Sequence, residues 1–231
     1  MGSAIGSLHR FWQYAVALQG VGKLDRDTAL LSQQSHELIS RCFSYGNGFI
    51  KPVQLTEELA LLLDDVRKLN PARVMEIGTS MGGTLFLWTR LAQADATLVS
   101  VDLRGGKFGG GYSFLRIPLY RRFARRDQKL HLLRADSHAK DTLLEVNRLF
   151  KNEPIDFLFI DGDHTYEGVK EDWQMYSPLV RQGGLIAFHD VAGNYQETEV
   201  KKFWDSIKSA FTYREYIADS DGRYGIGVIF K

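Results

Sequence analysis

The sequence predicts an α/β fold, in which a doubly wound and mostly parallel sheet of seven strands ends in an antiparallel hairpin. Five short apolar runs alternate with helical stretches through the middle of the chain. Near-continuous apolar runs are typical of parallel strands covered on both faces, and the alternation implies right-handed crossovers. Two further strand-like runs follow one another across an Asp/Gly turn near the C-terminal end, as in a hairpin.

Each predicted element has its own signal. The five apolar runs, expected to be strands buried on both faces, are ARVMEI (72–77), TLVSVD (97–102), LHLLRA (130–135), IDFLFI (155–160) and GLIAFH (184–189). The helical spacing of apolar residues predicts the helices 56–68, 82–93, 166–180 and 196–210. The hairpin strands are 212–218 and 225–231, on either side of the turn DSDG at 219–222.

A helical extension is predicted for residues 1–50, ahead of a main domain at 51–231. Apolar and aromatic residues recur at helical spacing over 8–45, and the turn YGNG at 45–48 ends the pattern. Thr56 is placed to cap the next helix. We expect the extension to cover a ligand pocket or to form the surface of a homo-oligomer.

The composition is that of a soluble globular protein. A chain of 231 residues with 44% hydrophobic and 25% charged residues fits one large domain. The formal charge of +1 gives no overall attraction to nucleic acid or to a membrane. Cys42 is the only cysteine, so no internal disulfide can form and a reducing compartment is expected. No apolar run approaches the about 20 residues that span a bilayer, and we expect a cytoplasmic protein.

The stretch MEIGTSMGGT at 75–84 predicts a ligand-binding turn between the first strand and its helix. Gly78, Gly82 and Gly83 are expected because a ligand can approach a backbone that carries no Cβ. The spacing G-x-x-x-G-G differs from the G-x-G-x-x-G of a pyrophosphate site. Glu76 would repel a pyrophosphate, whereas it could bind the ammonium group of an amino-acid-like ligand. A tight turn without a ligand is the alternative.

Acidic residues recur where four successive strands end. Glu76 lies at the end of the first strand, Asp102 closes the second, Asp136 and Ser137 follow the third, and Asp161 follows the fourth. Open α/β sheets bind ligands at this carboxyl edge. Asp102 could accept hydrogen bonds from both hydroxyls of a ribose, and Asp136 could hold an adenine amino group. A solvated strand end or a turn residue is the alternative for each.

These motifs resemble those of the class I S-adenosylmethionine-dependent methyltransferases over residues 50–231. Within that class, FIDGDHTYEGVKEDW followed by GGLIAFHD is similar to the metal-dependent small-molecule methyltransferases. That group includes the cephalosporin hydroxylase-like proteins, the macrolide sugar O-methyltransferases and, more distantly, the catechol type. The resemblance implies a Rossmann-like fold with S-adenosyl-L-methionine as cofactor. The cofactor-binding residues that it implies are Glu76, Gly78, Thr79, Ser80, Gly82, Asp102, Asp136, Ser137 and Asp161.

A metal site is predicted from Asp161, His189 and Asp190, which end adjacent strands. Carboxylates presented in this way suit Mg²⁺ or Ca²⁺, and such an ion could lower the pKa of an attacking hydroxyl. The group that the chain resembles has an acidic or amide residue where His189 stands, and imidazole suits Mn, Fe, Ni or Zn better than Mg. A metal-free site, in which these groups act as acids and bases, is the alternative.

His164 is the first candidate for a general base, because imidazole titrates near neutral pH. A histidine that only orders the turn is the alternative. Asp161 and His189 complete the set of candidate catalytic residues, with His189 as the base if no ion binds. Asp163 is predicted instead to cap the helix that begins near Tyr166.

The connection 103–129 is predicted to form a basic, glycine-rich lid over the cofactor. It is long for a strand connection, which is typical of a functional segment. Eight Lys and Arg residues stand against Asp127 alone, and five glycines occupy the first half. The charge could attract an anionic acceptor. A solvated basic helix face is the alternative.

The sequence therefore predicts an S-adenosylmethionine-dependent methyltransferase that acts on a hydroxyl of a small molecule with the help of a divalent ion, Mg²⁺ or another. Two alternatives remain. RNA methylation is motivated by the basic lid, although neither a separate RNA-binding domain nor an NPPY-type signature supports it. A non-catalytic nucleoside-binding protein is the other, because fold alone does not establish turnover.

Overall fold

The computed structural model describes Ala15 and residues 34–44, 48–105, 111–193, 198–218 and 222–231. Its strands are β1 (Arg73–Ile77), β2 (Thr97–Asp102), β3 (Lys129–Arg134), β4 (Ile155–Ile160), β5 (Val180–His189), β6 (Thr212–Tyr216) and β7 (Ile226–Phe230). Its helices are α1 (Ser35–Ser44), α2 (Thr56–Leu69), α3 (Gly83–Leu91), α4 (Ile117–Arg121), α5 (Lys140–Leu149), α6 (Tyr166–Tyr176) and α7 (Val200–Ile207). Short 3₁₀ turns precede α4 and follow α6 and α7.

The strands form one seven-stranded sheet in the order β3-β2-β1-β4-β5-β7-β6. The first five strands are parallel, and β7 runs antiparallel between β5 and β6. The predicted fold class is confirmed. Since the strand order reverses beside β1, the carboxyl ends of β1, β2 and β4 meet around one crevice, where open α/β sheets bind ligands.

Apolar side chains cover both faces of the sheet. On one face the Trp88 ring packs edge-on against Phe157 and Phe159, with ring centroids 4.9 and 5.4 Å apart. On the other face Phe188 of β5 packs against Trp204 of α7 in a second cluster, with ring centroids 5.6 Å apart. The expectation of complete burial is wrong for β3, whose side chains are half-buried or exposed because it forms an edge of the sheet.

The described part of the N-terminal extension packs onto the main body of the chain. Leu38, Ile39 and Cys42 on α1 are buried in the same core as Leu59 on α2. The remainder of the predicted helix over 8–45 lies outside the described residues, apart from Ala15, which is helical. The boundary at residue 50 and the role of the extension in an oligomer stay predictions.

Two local predictions at helix starts are wrong. Leu55, not Thr56, occupies the N-cap position of α2, and no side chain caps that end. Thr165 caps α6 by accepting the Gly168 N–H at 3.1 Å. Asp163 lies two residues earlier and accepts the Thr165 N–H at 2.8 Å, so it orders the segment before the helix and does not cap it.

The second half of the predicted lid is a packed part of the fold. Tyr112, Leu119, Tyr120 and Phe123 are buried in the main core. Residues 106–110 of the glycine-rich half lie outside the described residues. The buried aromatic residues anchor the described stretch that ends in β3, and its role as a lid over the cofactor stays a prediction. Among the described helices, none combines the length and apolar character needed to cross a membrane.

Candidate cofactor cleft and histidine–aspartate cluster

A cleft of about 330 Å³ opens at the carboxyl edge of β1, β2 and β4. Leu103 contributes to its walls, as do four residues of the turn after β4: Asp161, Gly162, Asp163 and Thr165. Six of the nine predicted cofactor residues also line it: Gly78, Ser80, Asp102, Asp136, Ser137 and Asp161. The sequence motifs that were separated along the chain are thus brought to one cavity.

Gly78 is required by a close approach of two strand ends. Its φ of +90° lies in the left-handed region, and a Cβ would stand 2.5 Å from the carbonyl carbon of Asp161 and closer still to its oxygen. The Asp161 N–H donates to the Ile77 carbonyl at 2.8 Å, which fixes this approach. The absence of a side chain therefore lets the β1 turn pack against the β4 turn beneath the cleft.

The other two glycines of the motif serve packing within the protein. A Cβ on Gly82 would meet the Tyr120 ring at 2.6 Å, and one on Gly83 would meet the Lys51 carbonyl carbon at 2.6 Å. Gly82 does not line the cleft. These two glycines are therefore needed for close packing against the segment before α2 and the Tyr120 ring, not for the approach of a ligand as predicted.

Asp102 holds the loop that follows Gly78. Its Oδ2 accepts the N–H groups of Thr79 and Ser80 at 2.9 and 2.8 Å, and its Oδ1 accepts the Leu103 N–H at 2.7 Å. Burial raises the pKa of Asp102, and these backbone donors lower it. Each carboxylate oxygen has two acceptor sites, so the carboxylate can support the loop and still accept from a ligand hydroxyl.

Glu76 lies behind the loop rather than on the cleft surface. Its Oε1 accepts the Trp88 Nε1–H at 2.9 Å, whereas its Oε2 is buried without a well-formed hydrogen bond among the described residues. Burial raises the pKa of Glu76 to about 8. A buried acceptor without a partner is costly, and a cationic ligand group would offset that cost.

Two imidazoles alternate with two carboxylates at the ends of β4 and β5. His189 Nδ1 lies 3.2 Å from Asp161 Oδ1 and 3.3 Å from Asp190 Oδ1. His164 bridges the same pair from the other side, with Nε2 3.5 Å from Asp161 Oδ1 and Nδ1 3.4 Å from Asp190 Oδ2. We call these four residues the histidine–aspartate cluster. The structure thus adds His164 to the predicted metal-site residues.

The imidazoles and carboxylates of the cluster shift one another's pKa values. Burial would raise the pKa of Asp161, but His189 and His164 outweigh it and hold that pKa well below its ordinary value. Burial would lower the pKa of His189, yet Asp161 and Asp190 raise it to about 9. The pKa of His164 is raised in the same way against the effect of its burial. Without a ligand, the cluster is therefore held together by charged imidazoles and carboxylates.

The two histidines differ in access. The side chain of His164 is 20% exposed, whereas that of His189 is 4% exposed and its Nε2 is buried without a hydrogen bond among the described residues. His189 stacks on the Tyr224 ring at a centroid distance of 5.8 Å. His164 can therefore meet a substrate, and His189 supports the carboxylates from behind.

Sequence reasoning missed Gln54. Its Nε2–H donates to Asp161 Oδ2 at 2.6 Å, and its Oε1 accepts the Val53 N–H at 3.1 Å. Gln54 is buried and fixes one carboxylate oxygen, which leaves Oδ1 facing the two imidazoles. Its partner is 107 residues away along the chain, and nothing in the local sequence marks the contact.

The strand order, the loop held by Asp102 and the acidic strand ends define a class I S-adenosylmethionine-dependent methyltransferase. A family model described as a methyltransferase domain matches residues 75–191, and the chain belongs to that family. The matched range runs from β1 to the end of the histidine–aspartate cluster.

The chain is also similar to curated proteins, one of which is a methyltransferase. The chain is 27% identical over 164 residues to tapetum-specific methyltransferase 1 of Arabidopsis thaliana, covering 71% of this chain and 64% of that protein. It is 24% identical over 173 residues to the uncharacterized protein y4gI of Sinorhizobium fredii, covering 71% of this chain and 18% of that one. The chain thus spans less than two thirds of the length of either relative.

Two solved O-methyltransferases share the fold at low identity. TomG from Streptomyces achromogenes, in complex with S-adenosylmethionine, is 18% identical with a TM-score of 0.57, covering 86% of this chain and 89% of TomG. The O-methyltransferase from Bacillus cereus, in complex with S-adenosylhomocysteine, is 17% identical with a TM-score of 0.57, covering 96% of this chain and all of that chain.

Proposed function

We propose that this protein transfers the methyl group of S-adenosylmethionine to a hydroxyl of a small molecule, with a divalent ion at the histidine–aspartate cluster. The observation that carries the proposal is the position of Asp161. Asp161 lines the cofactor cleft, and its carboxylate contacts both imidazoles, so the donor and the acceptor would meet there. The basic residues of 103–129 favour an anionic acceptor.

The protein's own groups can prepare a hydroxyl for attack. A neutral hydroxyl is a poor nucleophile, and a positioned imidazole can take its proton. His164 is accessible, and it can take the proton once it has lost the one that the cluster stabilises. The carboxylates of Asp161 and Asp190 then stabilise the imidazolium that results. Gln54 keeps the Asp161 carboxylate in one orientation, and much of the acceleration then comes from positioning.

The donor set fits a divalent ion. Asp161, His164 and Asp190 each offer a ligand atom within 4.8 Å of the others, and His189 contacts both carboxylates. When bound, such an ion would polarise the acceptor hydroxyl and lower its pKa. Mixed nitrogen and oxygen ligands suit Mn²⁺, Fe²⁺, Co²⁺, Ni²⁺ or Zn²⁺ better than Mg²⁺.

We expect binding of S-adenosylhomocysteine and no binding of NAD in calorimetry. Asp102→Asn should weaken S-adenosylhomocysteine binding by about 10- to 100-fold, because an amide cannot replace both acceptors at the loop and hydrogen bonds to charged groups contribute about 1.5–3 kcal/mol. Asp127→Asn, an exposed aspartate before β3, is the matched control and should bind like the wild type. Binding of NAD without S-adenosylhomocysteine would contradict the proposal.

Metal binding is tested on protein treated with EDTA. We expect Mn²⁺ to bind at least about 10-fold more tightly than Mg²⁺, and His164→Ala to reduce Mn²⁺ affinity by a similar factor. Because protonated imidazoles must lose protons to bind a metal, the heat measured below pH 9 should depend on the ionisation enthalpy of the buffer. His131→Ala, on β3, is the control. If the protein were fully active in EDTA and did not bind Mn²⁺, the proposed metal ion would be ruled out, and His164 alone would carry out proton transfer.

A further inference from the structure

A second histidine–carboxylate pair lies at the other end of the cleft. His138 follows β3 and lines the cleft beside Asp136 and Ser137. Its Nε2 lies 3.3 Å from Oδ1 of Asp172, a side chain on α6 with no exposure. The pair is separate from the histidine–aspartate cluster, and the proposed chemistry does not use it.

The surroundings of His138 make its ring a donor at both nitrogens. Nε2 faces the Gly168 carbonyl oxygen at 3.1 Å as well as Asp172. Nδ1 faces Asp136 Oδ1 at 3.8 Å and Glu171 Oε2 at 3.9 Å. Acceptors therefore surround the ring from its own loop and from α6, and the charged imidazolium satisfies them best. The hydrogen bond to Asp172 raises the pKa of His138 to about 9.

Asp136 places a hydrogen-bond acceptor beside the His138 ring, which is a donor. Its side chain is 61% exposed, and its Oδ1 accepts the backbone N–H of His138 at 3.0 Å. Because that backbone donor is already used, it is not available to a ligand. The cleft wall thus presents a carboxylate acceptor next to an imidazolium donor. Adenine offers the complement, an amino group that donates and ring nitrogens that accept.

We propose that His138 is a base-specificity residue, whose ring N–H donates to an adenine ring nitrogen of the cofactor while Asp136 accepts from the 6-amino group. Asp172 is the positioning residue that orients the His138 ring. This inference rests on the proposed use of S-adenosylmethionine.

Calorimetry with two nucleosides tests the assignment. S-inosylhomocysteine carries a hypoxanthine, in which the amino donor becomes a carbonyl acceptor and the adjacent ring nitrogen becomes a donor. We expect the wild type to bind S-adenosylhomocysteine at least about 10-fold more tightly, since each mismatched hydrogen-bonding group is left unpaired. His138→Gln should reduce this preference, because an amide can present either its donor or its acceptor.

The pH profile separates recognition from a structural role. The wild-type affinity for S-adenosylhomocysteine should stay constant from pH 6 to 8 and fall near pH 9, where His138 loses its proton. In Asp172→Asn that fall should move toward the ordinary histidine pKa of about 6.5, so the variant binds like the wild type at pH 6 and about 10-fold more weakly at pH 8. Glu171→Gln, which removes a more distant and exposed carboxylate, is the matched control.

The outcomes are distinct. Unchanged affinity, unchanged pH profile and unchanged base preference in His138→Gln would overturn the assignment while leaving the methyltransferase proposal intact. A wild type that binds neither nucleoside would overturn both. Should Asp172→Asn fail to fold, His138→Gln decides alone, because that side chain is partly exposed and its substitution keeps a polar group.

Discussion

Replacing Gly78 by alanine is expected to abolish detectable binding of S-adenosylhomocysteine and to lower the free energy of unfolding by about 2–5 kcal/mol. The added methyl group would overlap the backbone carbonyl of Asp161, and the residue would have to keep a φ of +90°. Backbone cannot rotate away as a side chain can, so the β1 and β4 turns must separate. Urea denaturation and calorimetry measure the two effects.

Gly183→Ala separates the backbone cost from the overlap. Gly183 has a φ of +73°, but a Cβ there would meet only the far end of the Arg181 side chain, at 3.1 Å. We expect it to cost about 1 kcal/mol, as for an alanine in a strained backbone conformation, with unchanged cofactor affinity. If Gly78→Ala and Gly183→Ala had the same unfolding free energy and the same affinity for S-adenosylhomocysteine, the close contact at Gly78 would not shape the cleft.

The fold could be predicted because it depends on patterns local to each element. Apolar runs such as 155–160 match β4, and the Asp/Gly turn correctly placed the antiparallel strands β6 and β7. Helix α5 was missed, although Leu143, Val146 and Leu149 recur at helical spacing in its sequence KDTLLEVNRL and pack against one face of the sheet. The exposure of β3 follows from its edge position, which composition does not encode.

The candidate site could be predicted only in part. Residues that terminate strands, such as Asp102 and Asp161, were accessible to sequence reasoning because parallel strands bring their carboxyl ends to one edge. Contacts between residues far apart in the sequence could not be predicted in this way. Gln54 reaches Asp161 because α2 and its preceding segment fold over the glycine loop, and His138 meets Asp172 because α6 packs beside the β3 end.

Asp161 and His189 also make stability depend on pH in metal-free protein. The folded pKa of His189, about 9, lies above the ordinary value of 6.5. The stability that protonated His189 contributes is therefore complete below about pH 6.5 and is lost as the pH rises to 9. The depressed pKa of Asp161 contributes stability that is present above pH 4 and lost as the pH falls through its folded value. In Asp161→Asn only Asp190 and Glu58 remain to offset the burial of His189, so the loss of stability at alkaline pH should shrink. Urea denaturation in EDTA at pH 6 and pH 8.5 measures the change.

Methyl transfer is expected to fall by at least about 10²- to 10³-fold in Asp161→Asn, because proton transfer by a positioned side chain contributes about 10²- to 10⁴-fold and His164 depends on the Asp161 carboxylate. The amide keeps the shape and can still pair with Gln54, but it no longer stabilises the imidazolium of His164 or serves as an anionic metal ligand. Asp127→Asn makes the same change at an exposed aspartate before β3, away from the cleft, and should remain active. Single-turnover methyl transfer beside S-adenosylhomocysteine binding distinguishes lost chemistry from a lost cofactor site. An active Asp161→Asn enzyme would place the acceptor elsewhere on the sheet edge.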